Sequence, residues 1–250
     1  MPRANRYFLP GYVWHITHRC HDRVFLLKAA RDRDVWRRCL YEARKRYQLC
    51  VLNYIVTSNH IHLLVYDTHG DGAISKSMQL IAGQTAQSFN RRTGRRGAFW
   101  DDRYHAVAVG GCDYLRQCLL YIDLNMVRAA AVDHPSAWRH SGYIEIQSPK
   151  SRYRIIDLER LAQLLQVASV EQLRTEHYQW VEAGLINGRS KRDPAWTESV
   201  AVGSEDFTST IKGRLGASGL YRKVKREQTR FVLREGAAAY NAVDGVKSSM

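Results

Sequence analysis

Two histidines with one residue between them sit inside the apolar run Ser58-Asn59-His60-Ile61-His62-Leu63-Leu64-Val65, and this spacing restricts what the segment can become. Side chains two apart project from the same face of a β-strand. His60 and His62 would aim both imidazoles to one side while Ile61 packs into the opposite layer. A rigid sheet can offer two nitrogens to a metal ion in this way. With 10 histidines in 250 residues, roughly 0.4 such pairs are expected by chance. The pair therefore takes its meaning from its surroundings.

Those surroundings read as alternating strands and helices. Residues 12–18 alternate (Tyr-Val-Trp-His-Ile-Thr-His) as a strand with one buried face does. Residues 31–47 carry Val35, Trp36, Cys39, Leu40 and Ala43 at helical spacing. Residues 49–56 and 61–66, joined by Thr57-Ser58-Asn59, predict a hairpin, and 74–89 predict a helix with Ile74, Met78, Ile81 and Thr85 on one face. A flexible basic loop is expected at 90–96, a fourth strand at 104–109 and another long helix at 113–127. The order β-α-β-β-α-β and then a helix predicts an α+β fold of ferredoxin-like type, an antiparallel sheet with helices on one face.

After Pro135 the pattern changes to short helical segments at 157–165, 170–183 and 204–215, with a Gly/Arg/Pro/Trp linker at 188–196 and a basic stretch at 221–226. The expected division is residues 1–145 as the sheet domain and 146–250 as a small, mostly helical region serving DNA binding or regulation.

A formal net charge of +14 is unevenly placed, with basic residues outnumbering acidic ones by nearly three to one in residues 1–100 and a near balance in 101–200. Two basic ends around a neutral middle suggest a polyanionic partner. No apolar run approaches the roughly 20 residues that cross a bilayer, and no secretory signal is evident. The five cysteines form no Cys-x-x-Cys pair. They read as reduced thiols of a cytoplasmic protein.

Placed at about 100° per residue, the segment from Asp113 to Arg128 puts Leu115, Leu119, Ile122 and Met126 on one side, to pack on the sheet. Tyr114, Gln117, Cys118, Tyr121 and Asn125 cluster on a neighbouring, more polar side. Tyr114 stands near the helix start, where the backbone dipole favours negative charge. It could serve as a phenolic nucleophile toward phosphate, although geometry alone favours a half-buried packing aromatic, which is what most helical tyrosines are. Arg91, Arg92, Arg95, Arg96, Phe99, Trp100 and Arg103 combine positive charge with flat rings, as single-stranded nucleic acid requires. A core position is the alternative for Trp100. Arg3 and Arg6 form a second candidate contact, whereas His15, His18 and His21 read as packing or surface histidines.

The motifs occur in the order Leu9-Pro10-Gly11-Tyr12-Val13-Trp14-His15-Ile16-Thr17, Thr57 to Val65, Gly97-Ala98-Phe99-Trp100-Asp101-Asp102-Arg103-Tyr104, Asp113-Tyr114-Leu115, and Tyr121-Ile122-Asp123-Leu124-Asn125-Met126-Val127-Arg128-Ala129. Over roughly residues 6–140 they resemble the REP-associated tyrosine transposases, relatives of the single-tyrosine His-hydrophobe-His transposases of bacterial insertion sequences. The resemblance implies a site-specific single-stranded DNA endonuclease and strand transferase, acting on hairpin (REP-like palindromic) elements flanked by a short guide sequence. It implies that His60 and His62 hold one divalent cation, Mg²⁺ or Mn²⁺, and that Tyr114 attacks phosphorus to give a 5′-phosphotyrosine.

In the relatives a third ligand, usually a glutamine, stands four residues after the nucleophile. Counted from Tyr114, that position is Cys118, a poor ligand for an oxygen-preferring ion. Gln117 is the candidate in its place, and Asp123 lies about 180° away on the helix. Met126 stands where the family commonly has proline. The arm, the basic loop and the tail (Lys212, Arg222, Lys223, Lys225, Arg226) would hold DNA, in a monomer or in a homodimer that exchanges tyrosines as the insertion-sequence relatives do. The alternative is a DNA-binding protein that has lost cleavage.

Overall fold

The computed structural model describes residues 8–149, 151–186 and 192–235. Its first half follows the expected order: β1 (Val13–Arg19), α1 (Ala30–Tyr47), β2 (Cys50–Val56), β3 (His60–Tyr66), α2 (Ala73–Thr93) and β4 (His105–Val109). β1 lies between β3 and β4 and is antiparallel to both, and β2 pairs antiparallel with β3. This is the ferredoxin-like arrangement, in an α+β fold.

The register fixes which residues share a face. Thr17 lies opposite His62, and His15 lies opposite Leu64 on β3 and Val107 on β4. His15, Thr17, Arg19, His60 and His62 therefore face the same way. Ile16, Ile61, Leu63 and Val65 face the other way and are fully buried. A bulge between Val51 and Asn53 shifts the register of β2, which turns Asn53 and Ile55 onto the His62 face.

Both crossover helices cover the Ile61 face. α1 and α2 pack together, Trp36 of α1 stands against Tyr54 (ring centroids 6.3 Å apart), and the Ala82 carbonyl of α2 accepts from Trp100 Nε1 at 3.0 Å. The His62 face is covered as well, by α3 (Gly111–Asp123), whose Tyr121 meets the rings of His15 and His62. Helices thus occupy both sides of the sheet, where the sequence pointed to one. The strands carry long apolar side chains on both faces, so a single layer of helices would leave one face in water. α3 ends at Asp123, and a further turn, α4 (Asn125–Arg128), follows after Leu124.

Beyond residue 140 come α5 (Gly142–Gln147), α6 (Leu158–Leu164), α7 (Val170–Ile186), α8 (Ala195–Glu198), β5 (Ala201–Gly203), α9 (Glu205–Arg214), β6 (Arg222–Glu227) and β7 (Arg230–Glu235). α6, α7 and α9 answer to the expected segments, whereas α5 falls outside them and α8 begins within the stretch read as a linker. The strands have no counterpart there, because the basic stretch at 221–226 alternates too weakly to announce β6. β5 runs parallel to β4, and β7 and β6 extend the same sheet to seven strands in the order β2-β3-β1-β4-β5-β7-β6. Residues 201–235 therefore continue the sheet begun by residues 13–109. The opposite edge is closed by the chain itself, where Val51 bridges Ile156 and Ile55 bridges Ser141. All five cysteines are free thiols, and among the described residues no helix is long and apolar enough to cross a bilayer.

Candidate metal and nucleophile site

A cavity of about 600 Å³ opens over the sheet end that carries the two histidines. His60 and His62 of β3, Thr17 and Arg19 of β1, His105 of β4, Tyr121 of α3 and Asn125 and Arg128 of α4 line it, together with Arg23, Arg103 and Arg192. Five arginines against Asp101, Asp102 and Glu198 leave the cavity positive, and Arg192 is partly neutralised by Glu198 at 2.7 Å.

Both histidines present the same ring nitrogen. His60 Nδ1–H donates to Asn59 Oδ1 at 2.8 Å, with Thr57 Oγ1 at 3.0 Å. A carbonyl can only accept, so in the neutral ring Nε2 keeps its lone pair. His62 Nδ1 meets His15 Nε2 at 2.9 Å, and His15 Nδ1–H donates to the Trp196 carbonyl at 2.9 Å. The same logic makes His62 Nδ1 the donor and its Nε2 an acceptor, and Asn125 Nδ2 lies 3.0 Å from that Nε2. The rings are neutral. Burial pushes His60 down to about 4, with Arg19 and Arg128 adding to it, and pushes His62 well below its usual value. Burial holds His15 at about 3.

Two unprotonated imidazole nitrogens lining one cavity with the Asn125 carboxamide, whose nitrogen faces His62 here and whose oxygen would face it once the amide turned, make a donor set able to hold a divalent cation. Its low carboxylate content leaves charge to be supplied by a phosphate. Among the described residues, His21, Asp22 and Asp101 also cluster. His21 is half-buried and both carboxylates are exposed, with His21 paired to Asp22 at 3.4 Å and to Asp101 at 3.8 Å.

Tyr121, not Tyr114, reaches this cavity. Its ring centroid is 5.6 Å from that of His62, and the Arg128 guanidinium carbon lies 4.2 Å from the Tyr121 ring. Burial raises the phenol above its ordinary value, and Arg128 and Arg192 pull it back. Tyr114 is half-buried in the first turn of α3, about 10 Å earlier along the helix at 1.5 Å per residue. Seven residues return a helix to nearly the same angle, so both tyrosines occupy one stripe and only their height differs.

The neighbours of the two tyrosines on the helix differ as well. Four residues after Tyr121 stands Asn125, at the site. Gln117 lines a separate cavity behind Tyr121 with Asp193, Trp196 and Arg230, and Cys118 is fully buried, its thiol pushed well up by burial. Asp123 points inward, where Oδ1 accepts from Asn53 Nδ2 at 2.9 Å and Oδ2 from His177 Nε2 at 2.8 Å.

Of the expected DNA contacts, Arg103 lines the cavity, and Arg91 and Arg96 are exposed. Arg91 and Arg92 lie on the last turn of α2 instead of in a loop, and Arg92 is bound to Asp32 at 2.7 Å. Arg95 donates to the Ala98 carbonyl at 2.8 Å. Trp100 is a packing residue, stacked on His18 with centroids 4.1 Å apart and donating to Ala82. Arg3 and Arg6 lie outside the described residues. In the tail, Lys223, Lys225 and Arg226 are exposed on β6, whereas Arg222 is buried against Glu235. Tyr121 and Asn125 line the cavity with His60 and His62, as do Arg19, Arg23, Arg128 and Arg192, none of which the sequence singled out for this site. The i, i+4 spacing of Tyr121 and Asn125 was the available signal.

Residues 10–125 match the model of the family described as "Transposase IS200 like", a span that includes His60, His62, Tyr121 and Asn125. No curated protein matches the chain in sequence. Among solved structures, the chain is similar to a REP-associated tyrosine transposase bound to a REP hairpin, with a TM-score of 0.51 and 22% identity over 62% of this chain and 90% of that one. A putative transposase from Deinococcus radiodurans aligns at a TM-score of 0.35 and 16% identity, covering 48% of this chain and 95% of its own. Over residues 10–125, a little under half of its length, the chain is similar to the IS200-like transposases.

Proposed function

We propose that this chain is a metal-dependent tyrosine endonuclease and strand transferase that cuts and rejoins single-stranded DNA hairpins, with Tyr121 as nucleophile. The observation that carries this reading is the meeting of Tyr121, the two Nε2 acceptors of His60 and His62, and Asn125 in one arginine-lined cavity. The similar solved structure has a REP hairpin bound, which supports a hairpin substrate. His60, His62 and Asn125 would hold the cation. When bound, Mg²⁺ or Mn²⁺ polarises the scissile phosphate and offsets charge on the departing oxygen.

The chain's own residues do the rest. The Tyr121 hydroxyl attacks phosphorus and loses its proton to solvent; the bond from phosphorus to the 3′ oxygen breaks and that oxygen takes a proton from solvent, leaving a 5′-phosphotyrosine and a free 3′-OH. Attack by a 3′-OH on that phosphotyrosine reverses the step, so no phosphodiester is lost to hydrolysis. Arg128 keeps positive charge beside the phenol, and Arg19, Arg23 and Arg103 face the phosphates. Nucleophile and ligands come from one chain, so a monomer holds a complete site.

The test uses an end-labelled single-stranded hairpin oligonucleotide with Mn²⁺. The protein and its Tyr114→Phe variant should both form an SDS-resistant adduct, and Tyr121→Phe should bind and form none. An adduct that survives Tyr121→Phe and vanishes with Tyr114→Phe restores Tyr114 as nucleophile. Binding with no adduct from the unaltered protein marks a DNA-binding protein without cleavage.

A further inference from the structure

The geometry points to His15 as a positioning residue that keeps His62 in the one tautomer able to bind a cation. The inference deepens the proposed metal site and rests on that reading. A neutral histidine has two tautomers, and a ring that carries its proton on Nε2 has no lone pair to give there. His60 is fixed by Asn59, a polar neighbour in its own turn. His62 has no such neighbour, because it sits fully inside the sheet, with Leu63 beside it and Thr17 opposite.

Its Nδ1 is answered by another ring. His15 stands on the adjacent strand, wholly buried, its plane 12° from that of His62 and its Nε2 2.9 Å from His62 Nδ1. A second imidazole could in principle pair either way. The direction is set one step further on, where His15 Nδ1 lies 2.9 Å from the Trp196 carbonyl. That oxygen accepts only, so His15 must carry its proton on Nδ1 and receive on Nε2; His62 must then carry its own on Nδ1, leaving Nε2 open toward Asn125. The polarity of the relay starts from a backbone atom in α8, well past the residues matched to the transposase family. The stretch after residue 190 thus does more than line the cavity with Arg192 and Glu198: α8 places the carbonyl that sets His15, and His15 sets His62. Such outer partners commonly change metal affinity 10- to 100-fold when removed.

The test has two readouts, neither of them activity. In the metal-free protein at neutral pH, two-bond ¹H–¹⁵N correlations of the imidazoles should show His62 protonated on Nδ1, and in His15→Leu the two tautomers should mix. Mn²⁺ binding followed by electron paramagnetic resonance should weaken at least tenfold in His15→Leu and stay within a few-fold in His15→Gln, whose carboxamide can accept from His62 and donate to Trp196. If His15→Leu does not fold, His15→Gln and the spectrum of the unaltered protein still decide. His62 protonated on Nε2 in the unaltered protein overturns the inference, as does equal Mn²⁺ binding by the unaltered protein and His15→Leu. If the unaltered protein binds no Mn²⁺, the metal reading falls. An Nδ1–H spectrum would then still establish the relay itself.

Discussion

The Arg128 guanidinium carbon lies 4.2 Å from the centre of the Tyr121 ring, while its Nη2 donates to the Tyr121 carbonyl at 2.6 Å. α4 follows directly on the end of α3 and places a cation on the Tyr121 ring, whose hydroxyl has to become anionic if Tyr121 is the nucleophile, as proposed. A buried phenol resists ionisation, and this cation works against that resistance.

Replacing Arg128 by alanine should therefore lower the rate of covalent adduct formation by roughly 10²-fold, the scale of removing one preorganised electrostatic partner. Hairpin affinity should fall much less, because Arg19, Arg23 and Arg103 still line the cavity. Single-turnover adduct formation at saturating protein measures this. A loss confined to affinity would make Arg128 a phosphate contact only.

The fold and the site differed in how far the sequence showed them. The hairpin around Thr57-Ser58-Asn59 and the His60/His62 face were readable because strand periodicity fixes the face with no reference to distant residues. The stripe carrying Tyr114, Tyr121 and Asn125 was readable for the same reason. Which tyrosine on the stripe meets the histidines was not, since a helical wheel discards height, and the two phenols differ by two turns along one line. His15 was invisible as a partner of His62, because only the pairing of β1 with β3 brings together residues 47 apart. β5 to β7 escaped for a similar reason: short strands earn their stability from neighbours that the local pattern does not contain.

Acid should destabilise the protein well above the range where carboxylates titrate. Burial holds His15 at about 3, and His60 and His140 at about 4, against about 6.5 in an unfolded chain. Between pH 6.5 and about 4 the unfolded chain takes up protons that the fold refuses, so stability falls as pH falls. Above 6.5 this loss is absent. Each refused proton costs about 1.4 kcal/mol per pH unit. Thermal melts of the metal-free protein should give a Tm that is level from pH 8 to 7 and drops steeply from 6 to 4.5. A level Tm down to pH 5 would show that these rings protonate inside the fold.

The buried cluster behind α3 should be sensitive to a single methyl group. Gly142 at the start of α5 presses on Asn53, and a Cβ there would collide with Asn53 Oδ1 and approach Ile156 within 2.8 Å. Asn53 cannot retreat freely, because Oδ1 accepts from the Tyr54 amide at 2.8 Å and Nδ2 donates to Asp123 at 2.9 Å. Asp123 in turn holds His177, and both side chains are fully buried. Gly142→Ala should cost about 1–3 kcal/mol by overpacking, and more if Asp123 loses a partner. The same shift acts at the last residue of α3, two positions after Tyr121. Adduct formation should therefore fall even at temperatures where the variant stays folded. Urea unfolding beside single-turnover cleavage separates the two effects: full stability in Gly142→Ala would show that α5 yields and leaves Asn53 in place, whereas lost stability with normal cleavage would show that the Asn53–Asp123 contact supports the fold without steering Tyr121.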